Sequence, residues 1–528
     1  MNAKRISGWA AALSAATLAL PAVATAATTC GDLANLTLPN TTITAAQFEP
    51  AGSFTAANNQ TFTLPAFCRV AGFSTPSSDS NIEFEVWIPY GSWNGKLEVV
   101  GGGGFAGTIS FSAMATALNL GYATASTDTG HQNPSSGDGS WALGHPEKVI
   151  DFGYRAIHLT TVNAKSIITA YAGAPEYNYF NGCSTGGRQA LKEAQMFPDD
   201  FNGIIAGDPA NYWVELNFGQ LWPYLVNHPN SSATPILPTS QYTLINNAVL
   251  KQCAGHDGGV ASDAFISDPP TCHFNPQVLE CKRGQDPTTC LTAAQVRVTD
   301  QIYAGAHNPK TWQPVFPGFA RGSETDWAGE ANSLFAIAVS YMQYWVFDDP
   351  TFNVQTSLNF SSDVALAKRL DNGVTEATDP DLRPFLSHGK LIQYHGWADG
   401  TIAPGESPQY YESVVDRLYP HSSPRDALRQ TQKSYRLFMV PGMYHCAGGP
   451  GANTFDTLTA LDNWVENGTA PDQIIATHYN NNVPADGVAF TRPLCPYPQV
   501  AKYSGVGATT AAASFVCVDP NGQSGRAR

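Results

Sequence analysis

Long apolar segments and basic residues are what this sequence has little of. After residue 26, no run approaches the roughly 20 apolar residues that a membrane helix needs, so no membrane-spanning segment is predicted. Lys and Arg together number 28 against 43 Asp and Glu, and the formal net charge is −15 at pH 7. Because such an acidic surface repels phosphate groups, the composition argues against nucleic acid as a partner. No internal repeat is present.

The first 26 residues have the features of a secretory signal peptide. Lys4 and Arg5 supply a positive start, residues 6–21 are mostly small and apolar, and Ala24-Thr25-Ala26 fits a cleavage site. We therefore expect a mature chain that begins near Ala27 and is exported, either to the periplasm or out of the cell.

Ten cysteines in an exported chain predict five disulfides. The spacing suggests three local loop closures: Cys253 with Cys272, Cys281 with Cys290, and Cys495 with Cys517. The spacing leaves open how the other four pair: Cys30, Cys68, Cys183 and Cys446.

The pentapeptide Gly182-Cys183-Ser184-Thr185-Gly186 has the pattern G-x-S-x-G. This pattern places a serine on a sharp turn between a strand and a helix, where its hydroxyl is exposed. The flanking sequence agrees, since residues 177–180 are aromatic and strand-like and residues 189–196 are rich in helix formers. Ser184 is therefore the candidate nucleophile.

The wider pattern predicts a parallel α/β sheet with one large insertion. The strand-like segments are residues 82–90, 96–100, 121–126, 177–180, 203–207, 390–396 and 435–440. The helical segments are residues 111–118, 155–171, 189–196 and 460–467. Between about residues 212 and 385 the sequence instead has few strand-like runs, many Pro and Gly, and four cysteines.

A serine needs a histidine to take its proton and a carboxylate to orient that histidine. On folds with this elbow the order along the chain is Ser, then Asp or Glu, then His. Asp399 follows strand 390–396 and His445 follows strand 435–440, both near the carboxyl ends where open α/β sheets form their sites. His395 is a rival histidine that breaks this order, and Asp399 could instead only stabilise its turn.

Acyl transfer also needs donors for the developing oxyanion. The N–H of Thr185 follows the nucleophile, and Gly103 and Gly104 in the turn 101–104 are the candidate second source, since residues without side chains let the backbone approach a substrate. The alternative, a nucleotide-binding turn, lacks the G-x-G-x-x-G pattern leading into a helix.

Four motifs together resemble the tannase/feruloyl esterase family: G-G-G-G-F at 101–105, G-C-S-T-G-G-R at 182–188, H-G-W-A-D at 395–399 and P-G-M-Y-H-C at 441–446. The resemblance implies an α/β-hydrolase core built from residues 27–211 and 386–528, a lid domain inserted at 212–385, and a disulfide-closed tail. It also implies a triad of Ser184, Asp399 and His445 that works without a cofactor.

The resemblance has two further consequences. It implies a disulfide between Cys183 and Cys446, which leaves Cys30 to pair with Cys68. It also implies a calcium loop in the lid, for which the candidate ligands are Asp257, Gly259, Asp263 and Phe265. The loop departs from the family pattern because Ala254 stands where an aspartate is usual, so a metal-free turn closed by a disulfide is the alternative.

The implied substrates are small or polysaccharide-linked esters of phenolic acids, with feruloyl-type esters favoured over galloyl esters. Aromatic candidates for the acyl slot are Tyr344, Trp345, Phe347 and Trp397, each of which could instead belong to the lid core. A terephthalate monoester is less favoured, because no arginine lies between Arg321 and Arg369. The alternative from another class is an exported binding protein that kept the fold without turnover.

Overall fold

The computed structural model describes residues 28–133 and 135–519. The predicted signal peptide lies outside these residues. The strands are β1 Thr41–Glu49, β2 Gly52–Thr55, β3 Thr61–Leu64, β4 Phe67–Ser74, β5 Ile82–Pro89, β6 Lys96–Val100, β7 Ala123–Thr127, β8 Tyr177–Cys183, β9 Gly203–Gly207, β10 Ala306–His307, β11 Pro314–Phe316, β12 Lys390–Gly396, β13 Tyr435–Val440, β14 Ile474–Tyr479, β15 Val488–Leu494, β16 Val500–Tyr503 and β17 Phe515–Val518.

The α-helices of the described residues alternate with the strands of the core, and eight of them lie in the segment between β9 and β12. They are α1 Phe111–Asn119, α2 Pro146–Ile150, α3 Ala156–Ala172, α4 Thr185–Met196, α5 Trp213–Asn227, α6 Tyr242–Cys253, α7 Ala293–Ala304, α8 Ala328–Asn332, α9 Ala336–Tyr341, α10 Val354–Ser357, α11 Ser362–Asp371, α12 Arg383–Leu386, α13 Glu406–Leu418, α14 Pro424–Thr431 and α15 Thr457–Asn467.

A nine-stranded sheet forms the centre, in the order β1-β4-β5-β7-β6-β8-β9-β12-β13. The strands from β7 to β13 in this order run parallel, as the alternation of strands and helices predicted. The first three strands join them antiparallel, so the sheet is mixed. Strands β1 and β4 were not among the predicted elements.

Helices cover both faces of the sheet. All five residues of β9 are buried, as expected for a strand with protein on either side. Because successive side chains point to opposite faces, Ile204 packs in a cluster with Ile167 of α3 and Leu191 of α4, whereas Ile205 packs with Leu461 of α15. This packing fixes α4, and with it the turn before α4, against the centre of the sheet.

The segment between β9 and β12 has an apolar cluster of its own, with Trp213, Ile245 and Trp327 among its buried members. Phe105 from the loop after β6 and Phe152 from the helical turn between α2 and α3 belong to the same cluster, so this segment packs directly on the core. The boundaries 212 and 385 of a separate lid domain remain predictions.

Residues 474–518 form two antiparallel hairpins, β14–β15 and β16–β17, which the sequence analysis did not predict. The disulfide Cys495–Cys517 ties them together. Among the helices of the described residues, none is both long enough and apolar enough to cross a membrane.

Candidate active site

Ser184 occupies the sharp turn between β8 and α4. Its backbone has φ 63° and ψ −122°, a region that side-chain-bearing residues rarely adopt. The turn requires its glycines, because a Cβ on Gly182 would lie 2.6 Å from the backbone of Gly186 and one on Gly187 would collide with the carbonyl oxygen of Gly207. The sequence thus forms the strained elbow that G-x-S-x-G predicts.

Asp399 and His445 come together beyond the ends of β12 and β13. His445 Nδ1 lies 2.7 Å from Asp399 Oδ2, while Asp399 Oδ1 accepts hydrogen bonds from the N–H groups of Thr401 at 2.7 Å and Ile402 at 2.8 Å. Both oxygens of the fully buried carboxylate are therefore held in place. Both His445 and Ser184 line one cleft, although no hydrogen bond joins their side chains among the described residues.

Charge couples the two groups. Burial by itself lowers the pKa of His445, but the charge and hydrogen bond of Asp399 outweigh it and raise the pKa to about 9. Burial by itself raises the pKa of the Asp399 carboxyl. The neighbouring His445 and His395 outweigh this effect and hold that pKa below its usual value. The carboxylate is thus set to stabilise a protonated imidazole.

His395, the rival histidine, lies behind the cleft rather than in it. It is fully buried, with Nδ1 2.8 Å from Ser407 Oγ and Nε2 3.1 Å from the carbonyl oxygen of Ile402. Its Nε2 also lies 3.3 Å from Asp399 Oδ2, so it supports that carboxylate from the far side.

Asp208 is a buried acid of this region that the sequence reasoning missed. Its Oδ1 accepts a hydrogen bond from Gly396 N at 2.8 Å, and burial raises its pKa to about 6. One ligand atom each of Asp208, Asp399 and His445 lies within 4.8 Å of the others. The available signal was its place directly after β9, at the same edge of the sheet as Asp399.

The glycine turn 101–104 lies beside the elbow. Thr185 Oγ1 donates to the carbonyl oxygen of Gly104 at 2.6 Å, and Gly104 has φ +55°, a conformation that suits glycine. The backbone N–H groups of Gly103, Gly104 and Thr185 have no hydrogen-bond partner within the described residues. Gly104 and Thr185 line the cleft, whereas Gly103 is exposed outside its lining.

A disulfide connects the elbow to the histidine loop. Cys183 and Cys446 are bonded with their Cα atoms 6.0 Å apart, across 263 residues of sequence. The remaining pairs are Cys30–Cys68, Cys253–Cys272, Cys281–Cys290 and Cys495–Cys517. All ten cysteines are therefore paired as the sequence analysis expected.

The cleft above Ser184 has a volume of about 590 Å³. Its apolar wall comes from Trp213 on α5 and from Leu334, Phe335 and Ile337 around the start of α9. Its polar groups include Asn217, Gln220 and Ser333. Among its described lining residues His445 is the only ionisable side chain, so the cleft suits an uncharged ligand with a flat apolar part.

The four aromatic residues expected in the acyl slot are not among the described lining residues of this cleft, so their part in binding stays a prediction. Trp345 packs in the buried aromatic cluster, 5.5 Å from Phe105 between ring centroids, and Phe347 stacks on Phe352. Tyr344 is half-buried and lies in the same helical turn as Trp345. Trp397 is buried and lines a different pocket. The first residues of α9, Ala336 and Ile337, line the cleft, whereas residues 344–347 in the helical turn that follows α9 do not.

The residues of the expected calcium loop do not fit a calcium site. Asp257 accepts hydrogen bonds from backbone N–H groups with both oxygens, and Asp263 Oδ2 accepts one from Val260. Asp263 Oδ1 is paired with the guanidinium of Arg492 at 2.7 Å. Because the carboxylates are satisfied and a cationic side chain already lies beside them, the inward-facing oxygens that calcium needs are missing.

An elbow serine at the end of a central parallel strand, with an aspartate and a histidine beyond the ends of two further parallel strands, defines an α/β-hydrolase. The "Tannase and feruloyl esterase" family profile matches residues 68–518. The chain therefore belongs to this family and is a carboxylic ester hydrolase.

Individual relatives agree. An uncharacterised esterase of Xanthomonas campestris is 42% identical over 95% of this chain and 93% of its own. Feruloyl esterase C of Talaromyces stipitatus is 32% identical, covering 93% of this chain and 94% of its own. The crystal structure of feruloyl esterase B from Aspergillus oryzae superposes with a TM-score of 0.83 at 30% identity, over 92% of this chain and 98% of that one.

Proposed function

We propose that this protein is an exported serine esterase that hydrolyses esters of phenolic acids, with feruloyl and other hydroxycinnamoyl esters preferred. The relatives named feruloyl esterases share about a third of their residues with it over most of the chain, which supports this substrate class. Export is supported by the signal-like residues 1–26 and by the pairing of ten cysteines, since disulfides persist in oxidising compartments.

In the proposed mechanism, Ser184 Oγ attacks the ester carbonyl while His445 Nε2 takes the hydroxyl proton. Asp399 holds the other nitrogen, Nδ1, and stabilises the imidazolium that forms. The N–H groups of Gly104 and Thr185 donate to the oxyanion. His445 then protonates the leaving alcohol, and water releases the acid from the acyl-enzyme by the same steps. These steps need no cofactor.

The observation that carries this proposal is that His445, which is hydrogen-bonded to Asp399, faces the same cleft as Ser184. The uncharged lining favours a neutral phenolic acyl group, with Phe335 and Leu334 against the ring and Asn217 or Gln220 near its hydroxyl groups. No arginine is among the described lining residues, so a terephthalate monoester stays the less favoured substrate.

The test is the initial rate on methyl ferulate and methyl gallate, measured for the mature protein and its Ser184→Ala variant. The matched control is Ser422→Ala, the same change at an exposed serine between α13 and α14. We expect cleavage that favours ferulate, a loss of nearly all turnover in Ser184→Ala, and unchanged rates in the control.

Three results would revise the proposal. A preference for gallate would make the protein a tannase, and substantial turnover by Ser184→Ala would require another nucleophile. Failure to turn over either ester, together with failure of an organophosphate to label Ser184, would favour a binding protein on the same fold.

A further inference from the structure

A second cluster of ionisable side chains lies on the face of the sheet covered by α3 and α4. It consists of His158 on α3, Glu193 on α4 and Asp200 in the connection from α4 to β9. His158 Nδ1 lies 2.7 Å from Asp200 Oδ2, and one ligand atom of each residue lies within 4.8 Å of the other two. Glu193 follows Ser184 by nine residues, roughly 13 Å along the helix, so this cluster does not share the catalytic cleft.

Glu193 is the unusual member of the cluster. It is 1% exposed, and neither of its carboxylate oxygens accepts a hydrogen bond from a donor among the described residues. The hydrogen bond open to it is with the carboxyl of Asp200, which requires a proton between the two acids. An unpaired buried carboxylate is costly, and the cost is removed by a proton or by a cation. Burial raises the pKa of Glu193 well above its usual value, so without a cation this group keeps a proton.

We propose that His158, Glu193 and Asp200 bind one divalent transition-metal ion, with Zn²⁺ the best match. One imidazole nitrogen and two carboxylates are a donor set that Zn²⁺ accepts, with water completing four ligands. Zinc bonds of about 2.0–2.2 Å require donors roughly 3.3 Å apart, so these ligand atoms, which lie within 4.8 Å of one another, move closer on binding. On binding, the metal replaces the proton between His158 and Asp200 and the proton on Glu193.

The surroundings of the cluster suit a bound ion. The ring of His158 stacks on Phe197 with centroids 3.8 Å apart, which orients the imidazole. The side chain of His158 is 29% exposed and so leaves an entry path from solvent. Lys165 opposes binding, because its Nζ lies 3.5 Å from Asp200 Oδ1, and it makes the net charge of the cluster −1 rather than −2 when both carboxyls are ionised.

The test is calorimetric titration of ZnCl2 into chelator-treated, desalted protein, with Co²⁺ absorption as a second readout of coordination. We compare the wild type with Glu193→Gln, which keeps the shape and removes the charge, and with His158→Gln. Asp199→Asn is the matched control, since it removes the same charge from the 97% exposed neighbour of Asp200. We expect one zinc per chain, binding at least about tenfold weaker in both test variants, and no change in the control.

Several outcomes would overturn the proposal. One is a wild type that binds no zinc, which would leave Glu193 as a protonated carboxyl. Another is a wild-type affinity that both Glu193→Gln and His158→Gln retain. A third is binding that is lost only in His445→Ala, which would assign the metal to the catalytic cluster. Should Glu193→Gln fail to fold, the result for His158→Gln at the partly exposed position decides.

Discussion

Replacing Asp399 by Asn removes one charge without changing the size of the side chain. The amide oxygen of the variant can still accept from the Thr401 and Ile402 N–H groups, but the side chain no longer stabilises a protonated His445, whose Nδ1 lies 2.7 Å from the carboxylate in the wild type. In a Ser-His-Asp triad this change lowers kcat by about 10⁴-fold, or about 5.5 kcal/mol in the activation free energy. We expect a loss of that size on methyl ferulate.

The pH dependence of kcat/KM tests the role of Asp399 independently of the size of the rate loss. His445 acts as a base only when neutral, so kcat/KM should rise with pH up to its pKa, which Asp399 raises to about 9. Without that carboxylate the pKa of His445 falls, and the residual activity of Asp399→Asn should reach its plateau at a lower pH. The assay is kcat/KM from pH 5 to 10 for both proteins.

Asp208→Asn is the matched control, since it removes an equally buried charge within the same cluster but no hydrogen bond to His445. We expect a loss of less than about tenfold, because only a Coulomb contribution is removed. Equal losses of kcat in Asp208→Asn and Asp399→Asn would refute the assignment of Asp399 to the triad. A pH profile of kcat/KM for Asp399→Asn that reaches its plateau at the same pH as the wild type would also refute it.

Four further predictions concern the disulfide at the elbow, the loop around Asp263 and the glycines of the elbow. Cys446→Ser removes the disulfide to Cys183, which spans 263 residues and by chain entropy contributes about 5 kcal/mol to the free energy of unfolding. Calorimetry should therefore show a lower Tm, and the esterase assay a lower rate. An unaffected enzyme would contradict this prediction. Calcium chloride added to chelator-treated protein should leave Tm unchanged, and a higher Tm would restore the hypothesis of a calcium loop. Arg492→Gln should lower the free energy of unfolding by about 3 kcal/mol, because it leaves the buried Asp263 carboxylate without its ion-pair partner. Gly187→Ala should lower the free energy of unfolding by about 1–3 kcal/mol in denaturant titrations, because its Cβ would collide with the carbonyl oxygen of Gly207. An unfolding midpoint equal to that of the wild type would show that α4 can move away from Gly207.

Several parallel strands of the core were predictable because short apolar or aromatic runs mark them, as in β9 and β13. The predicted bounds of 203–207, 390–396 and 435–440 agree with β9, β12 and β13. The start of α4 was not predicted, since Gly186 and Gly187 have low helix propensity yet lie in its first turn. Strand β1 was missed because it is a partly exposed edge strand with several polar residues. Strand β4 is mostly buried, but Arg69 and Gly72 interrupt its apolar run.

By itself, the sequence determined the elbow around Ser184, the order of its candidate partners and the family, because these depend on residues that are neighbours in the chain. Only the tertiary structure decided which residues form the cleft: Phe335 lines it, whereas Trp345 packs against Phe105, because the direction of each side chain in this segment depends on packing against distant loops. For the same reason, only the fold brought Glu193 close to His158, on two different helices, and left its carboxylate without a hydrogen-bond donor among the described residues.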